Sequence, residues 1–416
     1  MHRPALAAAI VASLCGIAAG AEPPSWRLSI EAGPVDRSNL PLRTAVTVPE
    51  DLAGETAAWI EFADGSRIPG QLATPRLLES ASAPVGQVAR DLVFVLPKLP
   101  ADTVIEVTAR AGGAAPPERL RWQEEPAAAT LLLGGRPLLR YEMPVYDASD
   151  DAVREKTYKP FHHVFDPATG IRLTKGDGGL YTHHRGIFFG YNRITHGTDL
   201  AVESDCWHCK GRAHQEHAGL LHQESGPVEG LQRVAIDWIG SDGSTILDEV
   251  REVAAIPVSG GTLIDFSSRL HADAAVHLDG DPQHAGVHFR ASNEVAESTK
   301  SETYYLHPGH RAPPGEFHNW PDDPAAVDLP WHGESIVIGG QRYTVIRVAD
   351  LENPGESRMS ERDYGRFGSY FVHDLAADVP LDIGYRFWVQ PGEISLEEAD
   401  RIAADYRTPP RITVLP

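Results

Sequence analysis

Between residues 25 and 123 the chain alternates apolar and polar positions in short runs. Residues 26–30, 44–48, 58–62, 92–96 and 104–108 change character at nearly every step and are rich in β-branched and aromatic side chains. That is the pattern of half-buried strands. Turn chemistry separates them at Asp64-Gly65, Pro84-Val85-Gly86 and Gly112-Gly113, where the backbone must reverse. The rhythm predicts an immunoglobulin-like sandwich over residues 22–123, with no constellation of reactive groups in it. Residues 112–129, rich in Ala, Pro and Glu, read as a linker. From 130 onward a longer series begins. Gly134-Gly135 makes a hairpin between 131–133 and 137–141, and later strands are expected at 187–191, 232–239, 245–255, 262–270, 285–291, 343–349 and 381–389. This predicts a large antiparallel β-sandwich over 130–416. One helix closes it. Ser395 and Glu398 form a capping box, Leu396, Ala399, Ile402, Ala403 and Tyr406 form an apolar face, and Pro409-Pro410 ends the helix. The fold class is therefore all-β with a C-terminal helix. Residues 311–333, rich in Pro, Asp, Trp and His, form an irregular loop too long for a tight turn.

Composition narrows the partners. The chain has 416 residues, 42% of them hydrophobic, and a formal charge of −21, so it is globular and offers no basic surface for nucleic acid. Met1-His2-Arg3, the apolar run to Ala18 and Ala19-Gly20-Ala21 read as a signal peptide over residues 1–21. The expected location is periplasmic or extracellular. No later run approaches the ~18 apolar residues of a membrane span. Only Cys206 and Cys209 follow Cys15, too few for a disulfide framework.

Histidine gathers in the second region: none of the 19 lies between residues 22 and 123. In Tyr181-Thr182-His183-His184-Arg185-Gly186-Ile187, strand alternation would put His183 and Arg185 on one face and His184 on the other. In His284-Ala285-Gly286-Val287-His288-Phe289-Arg290 the polar members His284, His288 and Arg290 share a face, opposite Val287 and Phe289. Trp207 offers a ring on which a sugar could stack, with His208 beside it. Arg366 and Arg386 suit a carboxylate, and Tyr364 an acid or base. Cys206, Cys209, His214 and His217 permit structural zinc, but their spacing is shorter than in familiar zinc modules, and a disulfide or inert thiols serve as well. There is no Gly-x-Ser-x-Gly elbow and no phosphate loop.

As a set, His183-His184-Arg185-Gly186-Ile187-Phe188-Phe189, the Trp207 segment, Gly286-Val287-His288-Phe289-Arg290-Ala291, Gly365-Arg366-Phe367-Gly368 and Tyr385-Arg386-Phe387-Trp388 with its helix resemble a bacterial exported family labelled "methane oxygenase PmoA family". They span roughly two thirds of the chain, from about 130 to 408. The label names a membrane-bound oxygenase subunit, which a chain without a membrane span does not match. What the resemblance implies is a secreted all-β protein of mutarotase-like or polysaccharide-lyase-like architecture, associated with polysaccharide use. The expected function is a carbohydrate-active lyase or hydrolase acting on a glycoside or uronate. His183, His184, Arg185, His288, Arg290 and Tyr364 would be catalytic, and Trp207, His208, Arg366 and Arg386 would bind substrate. In that scheme Arg185, Arg290 or Arg386 neutralises a carboxylate or keto group, His184, His288 or Tyr364 takes the adjacent proton, and a divalent metal ion on histidines could do the electrophilic task instead. A sugar epimerase or mutarotase and a non-catalytic carbohydrate-binding envelope protein are the alternatives.

Overall fold

The computed structural model describes residues 23–113 and 120–416. The expected leader, residues 1–21, lies outside the described residues, as do 114–119 of the expected linker. Alternation becomes strand almost everywhere it was strong. The first sheet has seven antiparallel strands in the order Arg37–Pro49, Gln87–Leu99, Arg67–Ala73, Ala57–Phe62, Val104–Ala111, Ser25–Glu31 and Arg411–Leu415. Leu28 and Ile30 from one side of this sheet share a core with Leu40, Leu42 and Phe94 from the other, so the sheet curls over its own apolar face.

The strand Leu120–Glu125 pairs with Ala128–Leu133, across the hairpin from Arg136–Glu142. These begin an eight-stranded sheet that continues through Phe161–Val164, Ile187–Tyr191, Ala285–Arg290 and Arg366–Tyr370 to Arg358–Arg362. Opposite it stands a nine-stranded sheet built on Gly230–Ile239, Thr245–Val258, Gly261–His271 and Leu381–Pro391. Phe189 meets Trp238 with ring centres 5.1 Å apart, and Phe289 meets Phe387 at 6.4 Å. Each such fully buried side chain contributes about 1.5–3 kcal/mol. The helix Leu396–Arg407 forms as its capping box predicts, with the Ser395 side chain accepting from Glu398 N at 3.1 Å. It buries Ala399, Ile402 and Ala403 and is held to the first sheet by the buried Arg37–Asp405 ion pair (2.8 Å).

Register in the eight-stranded sheet sets up the site. Phe188 lies opposite His288, His288 opposite Gly368, and Arg290 opposite Arg366. Because side chains alternate, Val287, Phe289 and Phe367 go to the shared core. Phe188, His288, Arg290 and Arg366 then occupy the other face. Gly368 has no side chain for a steric reason: a Cβ there would come within 2.5 Å of the His288 ring.

Candidate active site

The stretch before Ile187 is a turn and not the strand its sequence suggests. Strand pairing begins at Ile187, and Gly178, Gly179 and Tyr181 all have positive φ (71°, 65° and 54°). His184 N closes the turn on Tyr181 O at 3.0 Å. Strand alternation does not apply there, so His183 and His184 point the same way, with rings 4.2 Å apart. A positive φ at tyrosine is strained and concentrates at functional sites.

His208 and His284 join them. Ring centres lie 4.5 Å apart for His183–His208, 4.6 Å for His208–His284 and 6.2 Å for His183–His284. Each newcomer is the fourth residue of an Asp-x-x-His turn. Asp205 Oδ2 accepts from His208 Nδ1 at 2.8 Å, and Asp281 Oδ1 accepts from His284 Nδ1 at 2.8 Å. Both carboxylates are fixed in turn: Asp205 also takes the Trp207 and His208 amides, and Asp281 takes the Gln283 amide and the Asn192 side chain. Although burial alone raises both, these bonds hold both carboxyls below the usual carboxylate range. The Nδ1–H bonds leave Nε2 of His208 and His284 as the free atom. His184 is 1% exposed and neither of its ring nitrogens has a partner; His183 Nε2 is likewise buried and unpartnered. Burial, then the neighbouring positive charges, pushes His183 down to about 2 and His184 well below its ordinary value. Ring atoms of His183, His184 and His284 all lie within 4.8 Å of one another, so these three could hold a metal.

Behind the cluster lies a layer that holds it. His288 donates from Nε2 to Ala285 O (2.8 Å) and accepts at Nδ1 from Arg366 (2.9 Å). With both nitrogens committed it positions and does not exchange protons. Arg366 also reaches Ser360 (3.1 Å) and the Tyr364 hydroxyl (3.3 Å). Tyr364 stacks on His184 at 5.9 Å and meets the Tyr181 ring at a tilt, 4.9 Å away. Arg290 lies over the Tyr364 ring (4.9 Å) and donates to Tyr364 O. Arg185 is fully buried; it caps the carbonyls of Glu155 and Lys156 at the end of the helix Asp151–Thr157 and donates to Thr182 O (3.0 Å). It fixes the turn and does not face the cluster's open side. Lys175 Nζ holds the His184 carbonyl at 3.1 Å, and burial beside Arg290 and Arg185 brings its ammonium down to about 7.

Trp207 does not present a face for a sugar. It is fully buried, walled in by Phe188 (4.7 Å), His288 (4.8 Å) and His184 (5.7 Å). The exposed ring at the cluster is Tyr181. Arg386 is elsewhere, paired with Asp265 at 2.7 Å in a cleft of about 740 Å³ that is lined by Arg43, Arg76 and Asp265 and holds no histidine. A cleft of about 470 Å³ flanks the cluster through Gln283, the neighbour of His284, and is lined by Phe317, Asn319, Trp320 and Arg362. Cys206, Cys209, His214 and His217 are not brought into one ligand set. The two thiols are free and buried and donate to main-chain carbonyls. His214 is taken by Arg212 O (2.6 Å) and Glu216, and His217 by the Tyr141 hydroxyl (3.1 Å). His284 was read as one member of a polar strand face with His288 and Arg290, and Asp205 and Asp281 were not read as the partners of His208 and His284, although the twin Asp-x-x-His spacing was there to be seen.

Two solved structures trace a path similar to this chain. One is an alpha-mannosidase from Enterococcus faecalis V583, at 10% identity and a TM-score of 0.47, covering 94% of this chain and 46% of its own. The other is a protein in the glycosyl hydrolase family 38 from Enterococcus faecalis, at 8% identity and a TM-score of 0.49, covering 94% and 47%. The chain spans about half the length of each. Likeness at this level says nothing of substrate or chemistry. No curated protein matches the chain. A family model described as a family of unknown function, DUF6807, matches residues 128–404. That segment carries both sheets of the second sandwich apart from the edge strand Leu120–Glu125, and every residue of the histidine cluster, and over it this chain belongs to the DUF6807 family.

Proposed function

We propose that the chain is an exported carbohydrate-active enzyme, a lyase or hydrolase on a glycoside or uronate, with its reaction centre at His183, His184, His208 and His284. The observation that carries this is the convergence of four imidazoles, two of them aimed by carboxylates, beside Arg366 and Tyr364. Residues drawn from three separate segments meet there at a cost in buried, unpartnered nitrogen that packing alone does not require. The sugar class rests on the resemblance to exported polysaccharide-associated proteins, and the cleft beside His284, with Phe317 and Trp320 among polar neighbours, has the lining a sugar needs.

The geometry favours elimination over two-carboxylate hydrolysis. A hydrolytic acid must carry a proton, and Asp205 and Asp281 are both held in their ionised form. His208 is the best-placed base: Asp205 fixes its tautomer, and its side chain is 20% exposed, within reach of substrate. In the lyase reading His208 Nε2 takes the proton alpha to a carboxylate or keto group. Those electrons form the carbon–carbon double bond, the glycosidic C–O bond breaks, and the leaving oxygen takes the Tyr364 proton. Arg366 supplies positive charge beside Tyr364. The same abstraction without a leaving group would be epimerisation. The test is a panel of uronate-containing and neutral polysaccharides. An absorbance rise from unsaturated products, lost in His208→Ala, is expected. New reducing ends without unsaturation would replace elimination by hydrolysis. No cleavage, epimerisation or binding across the panel would overturn the enzyme reading.

A further inference from the structure

We propose that His183, His184 and His284 bind one divalent transition-metal ion of the zinc class, with His208 beside it as a fourth imidazole. This goes beyond the reaction reading, because it concerns an ion and stands whether or not the substrate is a sugar. Three features of the cluster lead to it.

The first is distance. One nitrogen from each of the three rings lies within 4.8 Å of the other two. Zinc bound by imidazole at about 2.0–2.1 Å in a tetrahedron needs nitrogens somewhat over 3 Å apart, a change that small ring rotations supply. The second is want of partners. Both nitrogens of His184 and Nε2 of His183 are buried with no hydrogen bond, whereas buried polar atoms are otherwise almost always satisfied. His184 is 1% exposed, so bulk water does not serve it. The third is the arrangement behind the rings. Metal-binding histidines pass their second N–H to a carboxylate, which fixes the tautomer and raises ligand basicity. Asp281 does this for His284 and Asp205 for His208, at 2.8 Å each. The two carboxylates also place two negative charges just outside an otherwise neutral set of ligands, enough to balance a dication.

Nitrogen donors without side-chain oxygen select zinc-class ions over calcium or magnesium. Three protein ligands with a fourth position open toward solvent is the arrangement of a catalytic rather than a structural zinc. The other metal-capable groups among the described residues, His310 with Glu316 and His318 and His271 with Asp273 and Asp378, are largely exposed and have no buried unpartnered nitrogen. They supply controls.

The experiment uses the full purified chain, tag removed, stripped with a chelator and titrated with Zn2+ by calorimetry, with bound metal counted by elemental analysis. One ion per chain at submicromolar affinity is expected. His284→Ala and His184→Ala should each weaken binding at least 100-fold, and Asp281→Asn about 10- to 100-fold. His318→Ala and Cys206→Ser should leave it unchanged. Co2+ on the wild type provides a readout that needs no variant to fold: visible bands of a nitrogen-ligated ion are expected, with no thiolate-to-cobalt band in the near ultraviolet. A wild type that takes up no Zn2+, retention of the ion in both histidine variants, its loss in His318→Ala or Cys206→Ser, or a thiolate band would each overturn the proposal. Binding is measured without substrate, so a chain that holds zinc but turns nothing over sinks the reaction reading alone. A metal-free chain that cleaves polymer sinks only this one.

Discussion

Two histidine clusters stand in the second sandwich, and they differ in what their ring nitrogens meet. In the cluster of His183, His184, His208 and His284, carboxylates hold Nδ1 of His208 and His284, while both nitrogens of His184 and Nε2 of His183 have no partner. In the cluster of His307, His310 and His318, the acids take the nitrogens themselves. His307 Nε2 bonds Glu361 at 2.5 Å, His310 Nε2 bonds Glu316 at 2.9 Å, and His318 bonds Asp323 at 2.5 Å and Glu316 at 3.1 Å. The second group is a set of histidine–carboxylate hydrogen bonds that pins the loop 311–333; Glu361 also takes the His318 amide at 3.0 Å. The difference teaches that histidine density does not make a reaction centre. What matters is which nitrogen is spent on the protein and which is kept.

The hardest test of that contrast is turnover. His208→Ala should lower the rate on a cleaved polymer by about 10²–10⁴-fold, the usual contribution of a positioned proton carrier. His310→Ala should stay within about twofold. Equal losses in initial-rate assays would erase the distinction. Packing supplies the next contrast. Gly368→Ala drives a methyl group into the His288 ring and the Val287 carbonyl, each 2.5 Å away, and should cost about 2–3 kcal/mol in urea unfolding. Gly309, in the turn of the second cluster, has open space around it but a φ of 72°, so alanine there should cost about 1 kcal/mol.

A carboxylate exchange separates the clusters more finely. Asp281→Asn removes the charge that aims His284 and should lower activity about 10- to 100-fold while the melting temperature barely moves. Asp323→Asn should leave kcat/KM alone. Similar activity in Asp281→Asn and wild type would show that His284 needs no aiming.

The last contrast is in pH, and its sign differs between the two kinds of histidine. Burial holds His162, His163 and His332 uncharged in the fold, far below the ~6.5 of an unfolded chain. Each therefore costs stability as pH falls below about 6.5, by up to about 1.4 kcal/mol per pH unit. His318 behaves oppositely. Burial tends to lower it, but its bonds to Asp323 and Glu316 overcome that and leave it raised. Its contribution is fully present below the unfolded value and is lost as pH rises through the folded one. Urea midpoints of the wild type should fall from pH 7 to pH 5, and the deficit of His318→Gln relative to wild type should widen over the same interval. A deficit that stays flat would remove the charged-pair account of that loop.

Strands and caps were legible because their signals are local. Residues 187–191 form a strand residue for residue where the apolar run is read as one, and Ser395 caps its helix as Glu398 foretells. The site was half legible. Histidine bias pointed to the region where the four imidazoles meet, and Arg366 and Tyr364 lie against them. Side-chain direction at 183 and 184 was not, since it depends on the sign of φ at Gly178, Gly179 and Tyr181, which alternation ignores. Exposure of Trp207 was not, since Phe188 and His288 come from other strands to cover it. Arg185 and Arg386 resembled substrate clamps because an arginine's partner is set by tertiary contact: helix carbonyls for one, Asp265 for the other.

The strand Arg411–Leu415 completes the first sheet by pairing along Ser25–Glu31. A partner separated by nearly four hundred residues makes this a ladder that forms only after the second sandwich has been synthesised. The seven-stranded sheet is left with an open edge until residues 411–415 emerge, and while that edge is bare it is the place where a nascent chain would pair with a neighbour. The order of synthesis is thereby written into the fold: the sheet begun first still lacks a strand when both sheets of the second sandwich have been made.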